Sequence, residues 1–441
     1  MRDDVPLPRL RPVDVRRVAQ NGGEYLLLRD PLELTGQQVL VPLPLAPLLA
    51  LLDGSRTLSR LRVELLVRYG LALDIEHLRG VVEALSRACL LEDESYGEAV
   101  RRAREAYHAA PYRAPALAGR VYPPEPADLA AVLRGFEERV NPGEGEPDGL
   151  VGLISPHIDY ARGGPVYAAL WRRAAPAVRA AEVAVIFGTD HSGSPGTLTL
   201  TRQAYATPWG VLPTDQDAVE AMAAALGREA AFTEELHHRA EHSVELAAVW
   251  LHYVRDGAPC TVIPVLCGHP LPYMTAVMGA APGQDEAARA AWRRAGDALA
   301  ALRAALAGRR VIAVAAADLA HVGPTFGDPE PFSPLAKYKV RLADEELLAA
   351  CSAGPEAVLR AVGRVNDRYR ICGLAPIALT LAFTGPVQAE TVAYAQCPAD
   401  HDGGDGSIVS VAGVILRTCA AGPNPFLEAG LGDGCQLLQR T

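Results

Sequence analysis

Between residues 149 and 317, four short apolar runs, GLVGLIS, EVAVIFG, TVIPVLCG and RVIAVAAA, alternate with stretches of helical periodicity such as GPVYAALWRRAAPAVRAA, SVELAAVWLHYVRDG and DEAARAAWRRAGDALAALRAALAG. Alternation of this kind argues for an α/β fold, a sheet layered with helices. Two further strand candidates, AETVAYAQ and GSIVSVAGVIL, close this domain, and residues 419–441, rich in Gly, read as a tail.

The residues that follow these strands carry the chemistry. His157 follows GLVGLIS, His191 follows EVAVIFGTD, and Asp318 and His321 follow VIAVAAA. In open α/β sheets the carboxyl ends of strands line the crevice where ligands bind, so residues there meet in space although remote in sequence. Two histidines with a carboxylate or a softer third donor suit a divalent transition metal that keeps open coordination positions. His242 and Cys372 each stand where a helix should begin, and a helix amino terminus favours a thiolate. Each residue alone has an ordinary reading: a hydrogen-bonded surface histidine, a cap at Asp318, a packed thiol at Cys372. The repeated placement argues for one shared pocket.

Other histidines rank lower. His237 and His238 lie in a polar stretch and read as solvated or lid-like, His252 as a core residue, and His269, at another strand end, as a candidate pocket wall. His401 and Asp402 read as a surface loop, because the acidic spacing around them does not fit an EF-hand.

Composition narrows the function. A net charge of −10 disfavours a general nucleic-acid binder, which needs Lys and Arg against phosphates. Lys337 and Lys339 are the only lysines, no Gly-rich loop ends in Gly-Lys-Ser/Thr, and so a P-loop is unsupported. No apolar run is long enough to span a bilayer, and the charged, proline-punctuated start lacks the apolar core of a signal peptide. No membrane association and a cytoplasmic location are therefore expected. The eight cysteines show no CxxC pairing, which favours reduced thiols.

Residues 1–98 read as a separate small domain: strand-like EYLLLRD and QQVLVPLP, helical segments on either side of Asp53-Gly54, and a closing strand ACLLEDE. The order suggests a winged helix. Acidic residues outnumber arginines there, which weakens a nucleic-acid role. Through LLLRDPLEL, LLDGSRTLSRL and VVEALSRACLLE the domain resembles PqqD-like modules. That resemblance implies recognition of a peptide added as a strand to a sheet edge; docking or dimerisation is the alternative. Residues 99–111 form a helical connector, and NPGEGEPDG is an exposed loop inside the main domain, residues 112–418.

The main domain resembles the MEMO family, through SPHIDYARGGPVYA, GTDHSG, AEHSVELAAVWL, AADLAHVG and ICGLAPI in order, with RAPALAGRVYPPEPADL and YATPWGVLPTD fitting the family's opening and its Thr-Pro stretch. The resemblance implies a fold similar to class III extradiol dioxygenases. It also implies metal contacts from His157, His191 and Cys372, with His242, Asp318 and His321 around the same cavity. Fe(II) is the first expectation for the metal, with copper or zinc as alternatives. A radical SAM enzyme and an AMMECR-type protein are implied as possible partners. Asp159 and Asp190 depart from the family pattern, and with Tyr160 they are read as substrate-binding; either carboxylate would harden the site or serve as an acid/base group. The expected mechanism gives His242 or His321 the acid/base role, with Asp318 orienting a histidine. A metal-dependent hydrolase and a non-catalytic peptide or partner adaptor are the competing functions.

Overall fold

The computed structural model describes residues 5–141, 148–279, 285–400 and 403–419. His401, Asp402, residues 142–147 of the loop NPGEGEPDG and all of the tail except Cys419 lie outside these residues. The chain divides into two compact units, Met1–Ala110 and Pro111–Thr441. No described helix is long and apolar enough to cross a membrane.

In the first unit β1 (Asp14–Gln20), β2 (Gly23–Arg29) and β3 (Gln38–Pro42) form an antiparallel sheet in that order. Sequence patterning missed β1. Its signal is the Asn21-Gly22 pair, both at positive φ, which makes the two-residue turn that joins Gln20 to its partner Gly23. Helices Ala46–Leu51, Leu58–Tyr69 and Ile75–Arg87 follow; Thr57 and Asp74 cap the latter two by accepting from the amides of Arg60 and His77. Leu48, Leu61, Leu65, Leu78, Val82 and Leu85 close a core over Leu28 and Val41. The expected closing strand ACLLEDE is reduced to one bridge, Leu10 to Leu91: Cys89 turns at positive φ, and Asp93 caps a new helix, Glu94–Ala109.

The second unit holds β4 (Leu150–Ser155), β5 (Val183–Thr189), β6 (Leu198–Leu200), β7 (Tyr205–Thr207), β8 (Gly210–Leu212), β9 (Thr261–Cys267), β10 (Val311–Ala316), β11 (His321–Val322), β12 (Val387–Pro398) and β13 (Ile408–Thr418). β7 and β8 pair as a separate hairpin; the rest form one sheet, ordered β11-β13-β4-β10-β5-β9-β6, with β12 on β13. β4, β10, β5 and β9 run parallel, and antiparallel strands extend the sheet on both sides. This is the expected α/β architecture.

The parallel strands are apolar without alternation because both faces are covered. Val183, Val185 and Phe187 of β5 enter one core, whereas Ala184 and Ile186 enter the other; β10 divides the same way. Helices Tyr160–Ala180 and Ser243–Val254 contribute to one core, and Asp285–Ala305 and Leu374–Thr384 to the other. Because β4, β10 and β5 are neighbours, their carboxyl ends bring residues 157, 318 and 190–191 to one stretch of the sheet edge.

Two glycines let helices close on that edge. A Cβ on Gly188 would lie 2.5 Å from Ser243 Oγ, so glycine admits the helix that His242 precedes. A Cβ on Gly373 would lie 2.4 Å from the Asp318 carbonyl oxygen, so glycine lets Cys372 reach the end of β10. Helix Ser243–Val254 is anchored in turn by Glu245, fully buried, which accepts from the amides of Ala116 and Leu117 at 2.9 Å each, from Tyr122 Oη and from the buried Arg113 guanidinium.

Replacing Glu245 by Ala removes the buried carboxylate that Arg113, Tyr122 and the amides of Ala116 and Leu117 share. The expected loss is about 3–5 kcal/mol of unfolding free energy by denaturant titration. A loss under about 1 kcal/mol would show that this anchor is not needed.

Candidate metal centre

His157 lies just past β4 and is buried, with 1% of its surface exposed. Its backbone amide donates to Asp318 Oδ1 at 2.8 Å, as does that of Ile158 at 3.2 Å, so Asp318 fixes the turn after β4 from the end of β10. The His157 ring is held by Nδ1, 2.9 Å from the Ala316 carbonyl oxygen. A carbonyl only accepts, so Nδ1 carries a proton, and Nε2 is the nitrogen turned into the cluster.

Glu241 does the same for two rings at once. Its Oε2 lies 3.0 Å from His191 Nδ1, and its Oε1 lies 3.0 Å from His242 Nδ1. Oε1 also accepts from the amides of His242 and Ser243 at 2.8 and 3.0 Å, which caps the helix that starts there. Both imidazoles thus present Nε2 away from the carboxylate, the arrangement by which a second carboxylate orients metal-binding histidines. The three rings gather closely: centroids of His157 and His191 are 5.1 Å apart, His157 and His242 5.3 Å, His191 and His242 4.8 Å. One ring nitrogen from each lies within 4.8 Å of the other two, a spacing that could hold a metal ion. His191 and His242 are each 38% exposed, so the cluster opens to solvent on their side.

Cys372 Sγ lies 3.3 Å from His157 Nε2 and 4.0 Å from His321 Nε2, while His321 Nδ1 is held 3.0 Å from the Leu319 carbonyl. Burial would raise the thiol's pKa, but His157 and His321 outweigh it and hold the thiol well below its ordinary value. Burial likewise opposes a charged His157, and Asp318 and the Cys372 thiolate overcome it, pushing its pKa up to about 9. Burial would raise the pKa of Glu241 as well; His191 and His242 reverse this and keep the carboxylate ionised.

Of the sequence-predicted residues, His157, His191, His242, Cys372, His321 and Asp318 therefore meet at one place, with His242 inside the three-imidazole group rather than at its edge. The remaining three are engaged nearby. Asp159 caps helix Tyr160–Ala180 through the Arg162 amide at 3.1 Å and grips the Arg162 side chain at 2.6 Å. Tyr160 is buried against Tyr122, and its hydroxyl donates to the Leu246 carbonyl at 2.8 Å. Asp190 accepts from His237 Nδ1.

Glu241 was missed because a carboxylate before a helix reads as an ordinary cap; its position immediately before His242 is the available signal. His237 and His238 are not solvated. The short 3-10 helix Glu235–Arg239 turns His238 into the core, between Tyr205 Oη and the Thr199 carbonyl, while His237 faces Asp190. His252 is a core residue as expected, held by Thr207 and Gly257. The His269 side chain is 55% exposed, 3.9 Å from Asp367.

A family model described as Memo-like protein matches residues 113–283 and 287–415, which span this whole constellation. The chain belongs to the Memo family. It is 28% identical over 318 residues to a MEMO1 family protein of Methanopyrus kandleri, covering 69% of this chain and 99% of that one. It is 28% identical over 346 residues to one of Thermus thermophilus (77% and 93%) and 25% identical over 327 residues to one of Aquifex aeolicus (74% and 79%). The Memo match begins three residues after Ala110, the last residue of the first compact unit.

Two outcomes are expected. Glu241→Gln should weaken metal binding by about 10–100-fold in chelator competition with the fold retained by circular dichroism, since both rings lose their orienting charge; unchanged affinity would contradict the shared-carboxylate reading. His238, whose pKa burial pushes down to about 3, is neutral when folded. The unfolded chain takes up its proton below about pH 6.5, so this part of the stability is intact above that pH and is lost as pH falls towards 3. His238→Gln should flatten the decline by up to about 1.4 kcal/mol per pH unit in that window, read from denaturation at several pH values.

Proposed function

We propose that this Memo-family protein is a metal-dependent enzyme of the non-haem Fe(II) oxygenase type. The supporting observation is the set of three imidazoles whose Nδ1 atoms are all tied to acceptors and whose Nε2 atoms are left for one ion, with an open side for substrate. His157, His191 and His242 would hold the metal, and Cys372 stands ready as a further, softer donor. Neutral nitrogen donors suit Fe(II), copper or zinc; Fe(II) is favoured because open positions on a redox-active ion serve oxygen chemistry. Once bound, it would supply Lewis acidity and electrons to the reaction.

The chain's own groups then have defined tasks. Asp318 sets the position of His157 through two backbone amides. His321, on the far side of Cys372, is placed to give or take a proton at Nε2, and its own Nδ1 is fixed by Leu319. Asp159, Tyr160 and Asp190 remain proposed as substrate-side residues through the walls they brace.

For the first unit we propose recognition of a peptide or partner protein by strand addition. Among the described residues β1 is an edge strand that pairs with β2 alone and is exposed along nearly its whole length, so its other side would offer backbone donors and acceptors. A peptide-modification or radical SAM-associated system in the cytoplasm, with an AMMECR-type protein as a further partner, fits this pairing of a reader with a metal site.

Metal analysis of the full chain purified without oxygen tests the enzyme reading. Stoichiometric iron that falls by one equivalent on His157→Ala or His191→Ala is expected. Zinc in its place would favour activation of water for hydrolysis. Failure to hold any transition ion would leave the crevice as a peptide or partner surface and overturn the reading.

A further inference from the structure

A second group of metal-binding side chains stands beside the first. Asp190, Glu234 and His237 each place a donor atom within 4.8 Å of the other two. They come from separate segments: Asp190 from the end of β5, Glu234 from the turn after helix Arg228–Phe232, His237 from the 3-10 helix Glu235–Arg239. The Asp190 side chain is 1% exposed and that of His237 13%.

Ordinary packing does not account for the charge gathered here. Asp190 Oδ1 accepts from the Ser192 amide at 3.1 Å, and Glu234 accepts from the Ser194 amide and hydroxyl and, at 3.3 Å, from Thr197 Oγ1. All of these are neutral donors. Among the described residues the one ion pair that either carboxylate makes is Asp190 with His237. Glu241 adds a third negative charge near His237, and its own carboxylate is already shared by His191 and His242. At most one imidazolium therefore faces two close carboxylates in a partly buried place, where like charges repel most strongly.

The distances suit an ion. His237 Nδ1 lies 3.0 and 2.9 Å from the two oxygens of Asp190. Two donors at right angles around an ion with bonds of about 2.1 Å lie about 3.0 Å apart, so the two groups already stand at a cis ligand spacing, and a cation taking the place of the proton needs the His237 ring only to turn its lone pair towards it. On the same bond length a third donor set midway opposite this pair lies about 3.9 Å from each, so the Glu234 carboxylate has to move in by up to about 1 Å. Glu234 is only half-buried and can do so.

We propose that Asp190, Glu234 and His237 bind a second divalent first-row transition ion, so that the protein carries two metals seated on the consecutive residues Asp190 and His191. One nitrogen and two carboxylates make this site harder than the three-imidazole group, which favours Mn(II) or Fe(II) here. The two sites differ in their donors and stand or fall separately.

The probe is Mn(II) added without oxygen to the metal-free full chain, with tightly held equivalents counted after gel filtration and the bound ion followed by electron paramagnetic resonance. Two equivalents are expected in the natural protein. His237→Gln and Glu234→Gln should each leave one, and His242→Gln should leave one that a further His237→Gln removes. Glu234→Gln, at a half-exposed position, keeps the test decisive should His237→Gln misfold. One equivalent that survives both His237→Gln and Glu234→Gln but is lost in His242→Gln would overturn the second site alone. No bound Mn(II) under any loading condition would likewise overturn the second site, while the imidazole site is judged by the iron analysis of the full chain.

Discussion

The architecture of the site depends on one carboxylate. Glu241 caps a helix with one oxygen while each of its oxygens accepts from Nδ1 of a different histidine. An ionised carboxylate between two ring N–H groups fixes both tautomers and both orientations. His157 has a separate device, the carbonyl at the end of β10, the strand that lies beside β4. The electrostatics follow from the same placement: burial works against a charge on His157, Cys372 or Glu241, and at each of the three neighbours of opposite sign outweigh it.

The broad layout was legible in the sequence because two-sided burial leaves an unmistakable trace. Within the strands the runs VAVIFG and VIAVAA have no polar residue, and the first titratable groups after them, Asp190 with His191 and Asp318 with His321, are among those that the fold brings together. Neighbouring order in the sheet was not legible, and it is what turns separate strand ends into one place: β10, the last of the parallel strands in the chain, inserts between β4 and β5. His242 and Cys372 could be placed at helix starts, but their depth depends on contacts at Gly188 and Gly373 that only coordinates reveal.

What stayed hidden was local chemistry with two meanings. A glutamate before a helix is an ordinary cap in most proteins, and nothing in AEHSVEL tells a cap from a cap that also holds imidazoles. Adjacent histidines in a polar stretch look solvated, yet a single 3-10 turn sends His238 to a core hydroxyl and His237 to a buried aspartate. In the first unit β1 was overlooked because its strand is largely exposed and carries charges, so it shows no apolar alternation; only Asn21-Gly22 marks it.

Glu241 and Glu245 lie four residues apart, one at the head of helix Ser243–Val254 and one in its first turn. The first holds two imidazoles, and the second clamps the segment from Arg113 to Tyr122. The opening stretch of the domain and this helix consequently behave as a single cassette. Anyone transplanting the centre into another scaffold, or swapping the domain's beginning between relatives, would have to move both pieces together.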